Sequence, residues 1–165
     1  MRDRSCRSDQ DERLGLRFAA INRDNYHKAF QIELPEWQRE FVASPERSLA
    51  EAYVWSDARP RLVEQDGHVV GFIMTFPFED EGERRLNLVR LIIDGRHQRR
   101  GLGRAVVAML IDEALREGIV TVTLSVQPDN APAIALYRAT GFVENGADGD
   151  ELRFERRLTR APESL

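Results

Sequence analysis

Six residues, Gln98-Arg99-Arg100-Gly101-Leu102-Gly103, join a strand-like run, LNLVRLIID, to a stretch in which Leu102, Ala105, Val106, Met109, Leu110 and Leu115 recur at helical spacing. A helix that begins here presents backbone N–H groups with no acceptor inside the helix, and its aligned peptide dipoles add about half a positive charge. An anion, above all a phosphate, is the fitting occupant. Gly101 and Gly103 would let the backbone approach such a group without side-chain obstruction. Arg99, Arg100 and Arg104, with Arg96 just upstream, would add charge-assisted contacts. Two other phosphate motifs fail here. A Walker A loop needs Gly-Lys, and the only lysine in the chain is Lys28; a dinucleotide fingerprint needs a third small residue where Val106 stands.

Further along, Asn130 precedes a short helical run that contains Pro132 and Tyr137 and ends near Gly141. Asn130 is a good N-cap. Tyr137 by itself is an ordinary tyrosine of an amphipathic helix. His27, His68 and His97 have no metal-ligand spacing and Cys6 is the single cysteine, so no metal site and no internal disulfide are expected. His97 is expected to serve packing or solvent contact, and Trp37 and Trp55 to pack helices.

The elements that must position these residues follow in a simple order. Alternating Leu14, Leu16, Phe18 and Ala20 predict a first strand up to Ile21. Asp24 can cap a helix carrying Tyr26, Ala29, Phe30 and Ile32; Pro35 separates it from a second short helix over 36–42. A third helix is expected after Pro45, with Ser48 as N-cap and Glu51 at the capping-box spacing. Arg61 to Gln65, the Asp66-Gly67 turn and His68 to Phe78 read as a hairpin. The charged EDEGERR stretch reads as a loop before a strand from Leu86 to Asp94. After the glycine turn come the helix ending at Gly118, a strand from Ile119 to Val126, a helix from Ala131 to Ala139 and a partner strand from Glu151 to Leu158. The order β-αα(α)-ββ-β-α-β-α-β-β predicts an α/β protein with one mixed, mostly antiparallel sheet and a parallel crossing in its middle.

With 165 residues, 42% hydrophobic and 32% charged, the chain fits one globular domain, expected over 13–160 after a charged, aperiodic leader at 1–12. No apolar run approaches the roughly 20 residues of a membrane span and the N-terminus lacks a signal-peptide core, so a cytoplasmic protein is expected, with no membrane partner. The net charge of −4 argues against nucleic-acid binding.

LVRLIIDGRHQRRGLGRAVVAML resembles the strand, pyrophosphate loop and helix of the GNAT superfamily of N-acetyltransferases, including its Q-x-x-G-x-G signature. SVQPDNAPAIALYRATGFVENG is similar to the second coenzyme-binding motif of that superfamily, N-x-x-A-x-x-L-Y-x-x-x-G-F. The resemblance implies the GNAT fold and acetyl-coenzyme A as co-substrate. It assigns the pantetheine arm to the backbone of Leu91, Ile92 and Ile93, the pyrophosphate to the amides of Gln98, Arg99, Arg100, Gly101, Leu102, Gly103 and Arg104, and a further coenzyme contact to Asn130. Tyr137 falls at the tyrosine that protonates, or hydrogen-bonds, the departing thiolate. Dimerisation is common in the superfamily; no feature of this sequence fixes it.

The acceptor amine must reach the thioester deprotonated, so a carboxylate or a water chain must take its proton. The candidates are Glu33, Glu36 and the acidic stretch from Glu79 to Glu83. EWQREFVASPERSLAEAYV is also similar to a segment of bacterial spermine/spermidine (diamine) acetyltransferases, with Pro45 where that branch often has asparagine. That narrower resemblance implies a polyamine acceptor whose ammonium groups Glu33 and Glu36 would attract. Acetylation of an amino acid, an antibiotic or a protein N-terminus is the alternative, as is a coenzyme-binding sensor without turnover.

Overall fold

The computed structural model describes residues 14–159, so the leader expected at 1–12, with Cys6, lies outside the described residues. Seven strands form one sheet in the order β1-β2-β3-β4-β5-β7-β6. They are β1 (Leu16–Ala20), β2 (Arg59–Gln65), β3 (His68–Asp80), β4 (Glu83–Ile93), β5 (Thr121–Val126), β6 (Val143–Asp148) and β7 (Glu151–Arg157). Every neighbouring pair is antiparallel except β4 and β5, which are joined by the crossing helix α2 (Leu102–Arg116). The other α-helices are α1 (Pro45–Val54) and α3 (Ala131–Ala139).

Alternation along the strands divides the core between the two faces of the sheet. Val63, Ile73, Leu86, Val122, Leu124 and Phe154 pack under α2 and α3, against Val106, Val107, Leu110 and Tyr137. Leu62, Phe72, Met74 and Ile92 point the other way, toward Ala29 and the partly buried Leu49 and Ala52 of α1. α2 closes as the sequence predicts, with Gly118 at φ 75° after the C-cap Glu117.

Four expectations need correction. The segment after Asp24 is a 3₁₀ helix, Tyr26–Gln31, and the one near Glu36 is a 3₁₀ turn, Glu36–Gln38; neither is α-helical. Asp24 caps nothing there: the N-cap position is Asn25, with no side-chain cap bond. The N-cap of α1 is Ser44 rather than Ser48: Ser44 accepts from the Arg47 N–H at 3.3 Å, Pro45 occupies the first turn, and Ser48 is buried with its hydroxyl donating to the Ser44 carbonyl. Proline at the first helical position was the stronger start signal. EDEGERR is not a loop but the tip of a long hairpin, in which Glu81 and Gly82 turn at φ 52° and 76° between β3 and β4.

The end of β4 is tied to the segment before Glu36 by one buried carboxylate. Asp94, 1% exposed, accepts from the Arg96 amide at 2.9 Å, from the Arg96 guanidinium at 2.7 and 2.9 Å, and from the Glu33 amide at 3.2 Å. The Gly95 amide returns a bond to the Glu33 carbonyl at 2.7 Å. Burial alone would push the Asp94 carboxyl upward; the bonds from Arg96 and Glu33 outweigh it and hold the carboxyl below its usual range. Asp94→Asn is therefore expected to destabilise the fold by about 2 kcal/mol, read as a shift in the urea midpoint. Because the folded value lies below the unfolded one, this contribution is present above about pH 4 and is lost as the pH falls further. The gap between wild type and variant should be level from about pH 5 to 8 and narrow in acid.

Candidate active site

β4 and β5 pair over only three positions, from Arg85↔Thr121 to Asn87↔Thr123. Beside the end of that ladder β4 carries a bulge: Met74 pairs with Arg90 and Thr75 with Leu88, leaving Val89 without a partner on β3. A bulge bends and twists its strand. From Leu88 onward the edge of β4 that faces β5 has no strand partner, and the two strands enclose a cleft. Peptide groups alternate in direction along β4. Asp94 donates across to Val70, so Ile92, two residues earlier, also turns its backbone to β3, while Leu91 and Ile93 turn theirs to the cleft. All three backbone positions singled out from the sequence line the cavity between the strands; the N–H and C=O groups of Leu91 and Ile93 point toward β5, and those of Ile92 toward β3.

A cavity of about 360 Å³ fills this cleft. The start of α2 lies along it. Gly101 occupies the N-cap at φ 77° and Arg99 precedes it at φ 63°, so the loop needs two left-handed residues and no side chain caps the helix. A Cβ at Gly101 would meet nothing within 4 Å, whereas one at Gly103 would lie 3.3 Å from the Leu136 side chain. Gly101 is thus required by backbone conformation, and Gly103 by the close approach of α3. Arg99, Arg100 and Arg104 are exposed, and among the described residues none of them has a carboxylate partner. Arg96 does not join them, because its guanidinium is held by Asp94 and by the Gln31 carbonyl.

α3 brings Tyr137 to the same cavity. Asn130 caps α3 by accepting from the Ala133 amide at 3.3 Å and also lines the cavity. The Tyr137 ring is 9% exposed and meets Phe142 edge-on at 5.6 Å; burial pushes its phenol up to about 12. At neutral pH the phenol therefore keeps its proton.

The opposite wall comes from the 3₁₀ segment before α1. Trp37 and Phe41 line the cavity edge-to-face at 6.5 Å, with Trp37 49% exposed. Trp55, at the end of α1, is 63% exposed. The packing role expected for the two tryptophans does not hold, because neither sits between helices. Gln38 and Gln98 exchange both amide bonds, at 2.7 and 3.2 Å, and Gln98 also donates to the Ile93 carbonyl at 2.9 Å. The glycine loop is thereby joined to this wall. His97 lines the cavity with its Nδ1 buried and without a hydrogen-bond partner.

Among the described residues no carboxylate lines this cavity, and the structure does not bring the proposed acids to it. Glu33 is 71% exposed and sits 3.9 Å from Arg96; Glu36 is exposed at the start of its turn; Glu79 to Glu83 form the distant hairpin tip. A second, polar groove of about 680 Å³ continues from the cavity past Phe41, Leu88, Arg90 and Ser125. Its carboxylates are Glu40, Asp148 and Glu151, which the sequence reading passed over. The acidic turn ADGDE was the signal available for the last two.

The model of the acetyltransferase (GNAT) family matches residues 26–142. The [ribosomal protein bS18]-alanine N-acetyltransferase of Escherichia coli K12 is 41% identical over 80 residues, 48% of this chain and 51% of its own length. The chain thus matches about half the length of that relative. The spermine/spermidine N(1)-acetyltransferase of Bacillus subtilis is 30% identical over 138 residues, 81% of this chain and 91% of the relative. The crystal structure of the PaiA N-acetyltransferase from Thermoplasma acidophilum with coenzyme A superimposes with a TM-score of 0.66 at 16% identity, over 88% of this chain and all 100% of that one. A bulged strand splayed from its parallel neighbour, a glycine-started helix and a match over 26–142 converge on one conclusion: this chain belongs to the GNAT family of acetyltransferases.

Proposed function

We propose that the protein transfers the acetyl group of acetyl-coenzyme A directly to a primary amine. The observation that carries this reading is that three features meet around one cavity: the side-chain-free start of α2, the unpaired edge of β4 and the phenol of Tyr137. The donor set fits the coenzyme. Its pyrophosphate is an anion for the amides of Leu102, Gly103 and Arg104 and the unpaired Arg99, Arg100 and Arg104. Its amide-bearing pantetheine arm suits the backbone of Leu91 and Ile93, much as an added strand would. Asn130, with its Oδ1 committed to the cap, has its amide nitrogen left for the same ligand.

Bound there, the coenzyme supplies an acetyl thioester. The amine nitrogen forms the new bond to the acetyl carbon as the carbon–sulfur bond breaks. Tyr137 gives its proton to the leaving sulfur, and the nitrogen surrenders one, which restores the phenol. The ammonium form must first lose a proton to the water of the polar groove. Products and reactants balance as an amide and a free thiol.

The acceptor has two readings. The Bacillus subtilis relative, matched over 91% of its length, supports the polyamine reading of the sequence. The Escherichia coli relative, matched over a shorter and more similar stretch, supports a protein amino terminus. Thiol release from acetyl-coenzyme A that depends on an added primary amine tests the proposal. Normal coenzyme binding by calorimetry with no amine-dependent release would overturn it in favour of a sensor.

A further inference from the structure

Resting on the acetyltransferase reading, we propose that the acceptor is the free amino terminus of an extended peptide, with acidic side chains preferred a few residues downstream, and that polyamines are poor substrates.

The polar groove is the route by which an amine reaches Tyr137, since it opens from the cavity at Leu88 and Ser125. Its charges are balanced. Arg39, Arg47 and Arg90 stand against Glu40, Asp148 and Glu151. A polycation gains little from such a lining, because each carboxylate that attracts it is offset by an arginine that repels it.

The two signs are also unevenly placed: Asp148 and Glu151 lie on the β6–β7 turn, whereas Glu40 sits beside Arg39 on the wall that carries all three arginines. Asp148 and Glu151 face each other across the β6–β7 turn, a like-charge pair that is unfavourable unless a cation lies near. Among the described residues neither has a basic partner; Glu151 takes one bond from Gln127 at 3.1 Å. On the other wall Arg47 and Arg90 share one carboxylate, Glu51, at 3.1 and 3.0 Å, and Arg39 donates to the Leu34 carbonyl and, among the described residues, has no carboxylate partner. That wall keeps an excess of positive charge.

An α-ammonium drawn in past the acidic turn, with carbonyl oxygens and an acidic side chain trailing along the arginine wall, satisfies both sides at once. The backbone complements this. β5 pairs with β4 only as far as Thr123, so the edge around Ser125 is open to an extended chain. A single amino acid would leave most of a groove of about 680 Å³ unfilled.

The test compares thiol release by the full-length protein with four acceptors: a hexapeptide with a free α-amine and Asp or Glu at positions three and four, the same peptide with Lys there, its N-formyl form carrying one internal lysine, and spermidine. The acidic peptide is expected to exceed each of the others by about tenfold or more in kcat/KM. Arg39→Glu should erase or reverse the acidic-over-lysine preference. Asp148→Asn should raise KM for the peptide severalfold with kcat and coenzyme affinity little changed. Spermidine or the formylated peptide matching the free peptide would overturn this inference and leave the acetyltransferase reading intact. Thiol release from none of the amines would overturn both.

Discussion

Tyr137→Phe is expected to lower kcat by about 10²-fold to 10⁴-fold while coenzyme A binds within about twofold of wild type. The substitution deletes one oxygen and keeps the ring, so the edge-on contact with Phe142 at 5.6 Å and the seat of α3 against the sheet survive. What it removes is the proton that the leaving sulfur would receive. The raised phenol value of about 12, caused by burial, adds a pH signature. Tyr137 stays protonated throughout the range in which amines titrate, so kcat/KM should rise with pH as the acceptor loses its proton, and should not fall through loss of the phenol proton before about pH 12. For an α-amine that rise levels near pH 8, and for a spermidine- or lysine-like amine near pH 10. Stability carries the same signature. The folded value lies above the unfolded value of about 10, so the contribution of the neutral phenol is complete below pH 10 and is lost as the pH climbs toward 12. Tyr137→Phe should lack that alkaline loss. Unchanged kcat in the variant would remove Tyr137 from the chemistry.

What could be read from the sequence was local. Gly101, Gly118 and Asn130 mark helix ends through conformations and hydrogen bonds that span a few residues, and the two helices they bound lie where those residues predict. The parallel crossing followed from the strand–helix–strand order alone. Less was legible where two local signals competed, as when Pro45 moved the start of α1 from Ser48 back to Ser44. Nothing local announced the bulge at Val89, which exists only in the register of β4 against β3. The same holds for the polar groove: Asp148 and Glu151 come to line one groove with Arg39 and Arg47 only after the sheet and α1 assemble. Glu33 drew attention as an acid near the right segment, yet its backbone is tied to Asp94 and Gly95 and its side chain is turned out beside Arg96. The glycine loop and α3 are thus written in contiguous residues and the polar groove in tertiary register.

Gly101→Val should weaken coenzyme A binding by about a hundredfold or more, measured by calorimetry. Gly101→Asn should weaken it only a fewfold. The distinction follows from why glycine is there. At φ 77° a residue with a Cβ is strained by about 1–2 kcal/mol, and a β-branched one by more, whereas asparagine visits this region readily. Space is not the constraint, since a Cβ at Gly101 meets no atom of the protein within 4 Å. Valine would relieve its strain by shifting φ, and the first turn of α2 would move with it. That turn carries the amides of Leu102, Gly103 and Arg104, and each charge-assisted bond lost costs about 1.5–3 kcal/mol, so losing one or two accounts for the hundredfold effect. Equal damage from valine and asparagine would instead mean that the pyrophosphate rests directly on the Gly101 Cα. Normal affinity in the valine variant would place the anion elsewhere and sever the link between this loop and the coenzyme.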